Sequence, residues 1–165
     1  MQNLKDIPCL ILGIGNILWA DEGFGVRVVE AFNDKYAFTD PNNVIADGGT
    51  LGMYLYDRIC RAEKLLIFDC CDFKGKPGEL RVLRNDDVKL WTSTKISPHQ
   101  TGMNDLLVAA AVRGAVPKEI AVVGFQPILL DDYGGSLSPE AKANIDEAVR
   151  DGYEIVRGWN VGLRA

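Results

Sequence analysis

Glu22, Asp47, Asp69 and His99 are the residues whose types could do chemistry together. Carboxylates with an imidazole make a ligand set for a divalent metal, and suit nickel or zinc better than magnesium. A carboxylate of the same set could instead take a proton as general base. Each acid comes after a stretch that reads as a strand. Glu22 follows the run from Pro8 to Ile14, Asp47 follows Asn43–Ala46, and Asp69 ends Lys64-Leu65-Leu66-Ile67-Phe68. Sites in open α/β sheets form beyond the carboxyl ends of the strands, so parallel strands would gather these acids at one edge. His99, the only histidine, follows Pro98 in a stretch read as a polar loop from Thr92 to Gly102. The four residues lie too far apart in sequence for a local motif, and spacing alone does not bring them together.

Each also has a plain structural reading. Asp21-Glu22 suits the start of a helix, where an acid contributes about 0.3–1 kcal/mol against the helix dipole. Asp47-Gly48-Gly49-Thr50 suits a strand-to-helix turn, and Thr50 suits an N-cap. His99 would serve as an ordinary surface histidine. Asp69 is harder to explain away, because an acid ending an apolar strand must be solvated, hydrogen-bonded or bound to something.

The elements that must position these residues alternate in the manner of an α/β domain. A helix is expected from Glu22 to Tyr36, with Val29, Phe32 and Tyr36 on one face. A second follows Thr50, with Leu51, Leu55 and Ile59 recurring. Glu79–Arg84 reads as a strand that runs antiparallel and makes the sheet mixed. Met103–Val112 is a small-residue helix, and Glu119–Phe125 a buried strand closed by Gln126-Pro127. Ser138-Pro139-Glu140 starts a last helix with a Ser cap and Pro at the first position. Its buried face runs through Ile145, Val149, Gly152 and Val156, and the residues after it read as frayed.

The bulk numbers exclude several classes. The 165 residues fit a single domain, 1–165, whose 47% hydrophobic and 25% charged content is that of a globular protein. A net charge of −5 argues against nucleic acid. No apolar run approaches the roughly 18 residues of a membrane span. Met1–Asp6 lacks the layout of a signal peptide, so a cytoplasmic protein is expected. Cys9, Cys60, Cys70 and Cys71 form no C-x-x-C pair and read as core residues. Gly13-x-Gly15 opens like a dinucleotide fingerprint, but Leu18 stands where the third glycine belongs, and two acids follow. Those glycines then read either as a tight turn or as room for a partner's backbone. There is no Gly-x-Ser-x-Gly and no His-Glu-x-x-His.

Four segments together carry a family resemblance: Gly13-Ile14-Gly15-Asn16-Ile17-Leu18-Trp19-Ala20-Asp21-Glu22-Gly23-Phe24-Gly25-Val26-Arg27, Asp47-Gly48-Gly49-Thr50, Ile67-Phe68-Asp69 and Ser97-Pro98-His99-Gln100. In this order the chain resembles the hydrogenase maturation endopeptidases over nearly its whole length. Gln126-Pro127 and Leu130–Leu137 look most like the branch serving uptake hydrogenases. The resemblance implies a three-layer α/β/α sandwich around a mostly parallel, mixed and twisted sheet. It implies one cut that removes the C-terminal extension of the [NiFe] hydrogenase large-subunit precursor after nickel insertion. Glu22, Asp69 and His99 match the family's nickel-contacting residues. Asp47, with Gly48 and Gly49, matches a segment that serves the substrate or the cleavage. The nickel would be carried by the substrate, and the protease would act as a monomer away from membranes. The rival readings are a non-catalytic accessory protein that binds the nickel centre, and a nucleotide-binding domain.

Overall fold

A computed structural model describes residues 4–49, 52–88 and 98–165, with side chains for all of these but 98–102 and 104. In chain order the elements are β1 (Ile7–Ile14), α1 (Phe24–Lys35), β2 (Ala37–Phe38), β3 (Val44–Gly49) and α2 (Tyr56–Arg61). Then come β4 (Ala62–Cys70), β5 (Leu80–Arg84), α3 (Pro98–Val112), β6 (Glu119–Phe125), α4 (Pro139–Gly158) and β7 (Leu163–Arg164). Short 3-10 turns precede α1 (Ala20–Gly23) and α2 (Gly52–Leu55).

The main sheet has the order β3-β1-β4-β6-β5. Its first four strands are parallel, and β5 closes the edge antiparallel to β6. Strands β1, β4 and β6 read as continuous apolar runs because both of their faces are covered. On one face Leu10, Leu12, Leu65 and Ile67 pack with Ile59 of α2 and Leu106 of α3. On the other, Ile11, Leu66 and Phe68 pack with Phe32 of α1 and Val149 of α4. Phe32 and Phe68 meet with ring centroids 5.8 Å apart, and Phe24 stacks on Phe125 at 4.7 Å. Each such buried aromatic contributes up to about 3 kcal/mol of burial. The result is the expected three-layer α/β/α sandwich with a mostly parallel, mixed sheet.

Several local expectations change. Glu22 lies before α1 rather than in it, because Ala20–Gly23 forms a separate 3-10 turn and Gly23 occupies the N-cap. Asp47-Gly48-Gly49 is not a turn but the end of β3, with a register shift opposite Gly13 and Ile14 that accommodates the extra residue. Thr50 lies outside the described residues. His99 is not in a loop: α3 begins at Pro98, so the histidine sits in the first helical turn. The residues after α4 are not frayed, since β7 pairs with β2 and the Thr39 amide and hydroxyl both donate to the Gly162 carbonyl.

Candidate active site

The register places the candidate acids at one end of the sheet. Gly13 of β1 lies opposite Phe68 of β4 on one side and Asp47 of β3 on the other. Asp69, one residue beyond Phe68, is 2% exposed and pairs in register with Gly124. Side chains alternate along a strand, so Asp69 shares the face of Leu65 and Ile67. That face is covered by α3, whose first turn contains His99. Among the described residues no three His, Cys, Asp or Glu side chains come together as a metal ligand set. The His99 side chain lies outside that description.

Glu22 reaches this end on a turn that the glycines make possible. A side chain on Gly15, whose φ is +137°, would run into the Glu22 carbonyl. A side chain on Gly13 would meet Gly25 and Val29 of α1, and one on Gly25 would meet the Phe68 and Ile14 carbonyls. The Gly-x-Gly pair therefore makes room for the protein's own α1 and Glu22 turn, not for a partner's backbone. The acids converge electrostatically as well. The Cys70 thiol is pushed well above its ordinary range, first by burial and then by negative charge at Asp69, Cys71, Asp21 and Glu22.

Asp21 is fully buried and caps no helix. One carboxylate oxygen accepts from the Ile128 and Leu129 amides, both at 3.0 Å, and from the Ser138 hydroxyl at 3.0 Å. The other accepts from the Ser138 amide at 2.8 Å. The Ser138 oxygen in turn accepts from the Ala141 amide at the start of α4. Asp21 thus locks the Glu22 turn to residues 128–138, a link spanning over a hundred residues of sequence that no local pattern announces. Gln126 does similar work nearby. Its oxygen accepts from the Phe73 and Gly75 amides and its nitrogen donates to Asp72, which fixes the loop after β4.

Asp47 occupies different ground. It is exposed and lines a cleft of about 300 Å³ with Gly15, Asn16, Ile17, Leu18, Val26 and Gly49. Val26 belongs to α1, so the cleft opens on the sheet face opposite that of Asp69. Strands β3 and β4 flank β1, which separates the two backbones by roughly 10 Å at ordinary strand spacing. Gly49, at φ +44°, faces the cleft, and its carbonyl accepts from the Gly15 amide at 3.1 Å. Gly48 is buried, and a side chain there would meet Ile14 and Leu55. The close approach at Gly48 is thus to the chain's own core.

Comparison with known proteins agrees with this architecture. The family model described as hydrogenase maturation protease matches residues 26–155. The hydrogenase expression/formation protein HupD of Bradyrhizobium diazoefficiens is 43% identical over 158 residues, 95% of this chain and 82% of the relative. The hydrogenase 2 maturation protease of Escherichia coli is 40% identical over 141 residues, 85% of each chain. The solved structure of the hydrogenase maturating endopeptidase HybD from E. coli superposes with a TM-score of 0.87 at 36% identity, over 95% of this chain and 96% of that one. With Glu22, Asp47 and Asp69 at the carboxyl end of such a sheet, the chain belongs to the hydrogenase maturation protease family.

Proposed function

We propose that this endopeptidase removes the C-terminal extension of a nickel-loaded [NiFe] hydrogenase large-subunit precursor, with Glu22, Asp69 and His99 contacting the nickel. The observation that carries the reading is the delivery of Glu22 and Asp69 to one sheet end, with Asp69 on the face covered by the helix that holds His99. Two carboxylates and an imidazole suit a borderline metal. The metal belongs to the substrate, where the precursor's own thiolates hold it. Contact with it tells a loaded precursor from an empty one and fixes the scissile bond in place, a proximity effect. Asp47 stands in the cleft away from Asp69 and is assigned proton transfer to or from the attacking water. Gly49 beside it leaves the backbone open to an extended tail. The protein acts as a cytoplasmic monomer that meets its precursor transiently.

The deciding measurement is the mass of the precursor before and after incubation, with and without nickel. Wild-type protein shortens the loaded precursor only. Glu22→Gln and His99→Ala lose the cut, and Asp47→Asn slows it by about 10²-fold or more while precursor binding persists. Equal cleavage of nickel-free precursor would sink the nickel-contact reading. A loaded precursor left at full length by the wild-type protein would instead favour the non-catalytic accessory role.

A further inference from the structure

A cluster of large apolar side chains stands exposed beside the site, and proton transfer and metal contact use none of it. Ile17, Leu18, Trp19, Ile128, Leu129 and Tyr133 range from 36% exposed at Trp19 to 68% at Tyr133. Apolar groups gathered on a surface mark an interaction site more often than scattered ones do.

The chain holds this cluster rigid. The Trp19 and Tyr133 rings meet edge-on at 5.0 Å and their backbones form an isolated β-bridge. The Gly134 amide donates to the Leu18 carbonyl at 2.7 Å, and the Asp21 amide to the Leu129 carbonyl at 3.0 Å. The Asp21 carboxylate fixes the Ile128 and Leu129 amides from beneath. Surfaces organised in advance lose little freedom on binding, and aromatic anchors carry much of the affinity at interfaces.

The cluster is continuous with the candidate site. The Trp19 carbonyl accepts from the Glu22 amide at 2.9 Å, and Ile17 and Leu18 form a wall of the Asp47 cleft. Within its own two segments the charge has one sign, and Arg27 and Lys142 border it beyond Ile17. Residues 15–23 and 127–138 contain no Lys or Arg, while Asp131 and Asp132 are exposed between Leu129 and Tyr133.

We propose that these six residues are a docking surface for the hydrogenase large-subunit precursor, which meets them with an apolar patch flanked by basic side chains. This rests on the reading of the chain as the protease of such a precursor, because the surface adjoins the site where that substrate must lie.

The test titrates fluorescently labelled, nickel-loaded precursor with wild-type protein and with Leu129→Ser/Tyr133→Ala. The expected result is at least about a tenfold rise in Kd and in KM, with kcat changed less than about threefold. The melting temperature is recorded as a control on folding. Asp131→Lys/Asp132→Lys, at exposed positions, weakens binding through charge, whereas Tyr133→Phe, which keeps the ring against Trp19, binds as the wild type does. Unchanged binding in both double variants overturns the proposal. So does a wild-type dimer in sedimentation that Leu129→Ser/Tyr133→Ala dissolves, because the occupant would then be a second copy of the chain. Binding is read apart from cutting. A wild-type protein that binds but does not cut refutes the protease reading alone. Variants that cut with unchanged KM refute the docking surface alone.

Discussion

The two walls of the Asp47 cleft are built on opposite principles. The wall formed by residues 15–18, which lead into the Glu22 turn, is fastened by a buried carboxylate, an aromatic pair and backbone bonds to residues 128–138. The wall formed by the end of β3 is exposed at Asp47 and meets residues 15–18 at a Gly15–Gly49 backbone bond. The amide donors that a carboxylate meets therefore decide which acid is structural. Asp21 and Glu22 are neighbours in sequence, yet Asp21 is consumed by the protein's own amides while Glu22 remains partly exposed beside the site. A rigid wall suits a group that must meet a metal at a fixed place. A looser wall suits a group that works on a bound chain.

The contrast breaks first at its strongest point. Asp21→Ala strips the Ile128, Leu129 and Ser138 donors of their partner, and should cost about 3 kcal/mol or more in urea unfolding, or about 6–12 °C in melting temperature. Asp47→Ala on the opposite wall should stay within about 0.5 kcal/mol of wild type. Comparable losses from the two substitutions would erase the distinction. A middle-sized effect is expected at the glycines. Gly15→Ala places a side chain on the Glu22 carbonyl in a left-handed conformation and should cost about 2 kcal/mol, against about 1 kcal/mol for Gly49→Ala, where the added side chain would make ordinary contact with the Asp47 carboxylate. Equal costs would mean that the Glu22 turn is not held as tightly as the hydrogen bonds imply. The smallest effect, a coupling energy, sharpens the comparison. Ser138→Ala removes a helix cap and one Asp21 partner and should cost about 1–2 kcal/mol. With Asp21→Ala the two losses should fall short of additivity by at least about 0.5 kcal/mol, as expected for members of one network. Strict additivity would show that Ser138 stabilises α4 independently of the clasp.

Much of this architecture was legible in the sequence where the signal was local and strong. The buried strands, the edge strand β5 and the start of α4 all follow from apolar runs and cap chemistry. Ser97-Pro98 repeats in sequence the Ser138-Pro139 pair that opens α4, but a polar neighbourhood without an apolar period hid the helix that begins at Pro98. His99 therefore looks like a loop residue in the sequence, although it stands on a helix. The Asp-Gly-Gly segment read as a turn because two glycines usually end a strand, and the bulge opposite Gly13 and Ile14 was not visible in one strand alone. The acids could be placed at a sheet edge from strand order alone. What Asp21 does could not, since its partners lie more than a hundred residues away.

The four buried cysteines carry a consequence for metal exchange. Burial pushes the Cys9 thiol up to about 12 and holds Cys70 higher than an ordinary thiol, and Cys60 and Cys71 are buried as well. Thiolates are the groups that would wrest a nickel ion from its carrier, and here burial holds all four cysteines out of reach. On the proposed reading the protein meets the metal through oxygen and nitrogen alone. On that reading it would inspect the ion in a client without keeping it, and turnover would leave the nickel where assembly put it.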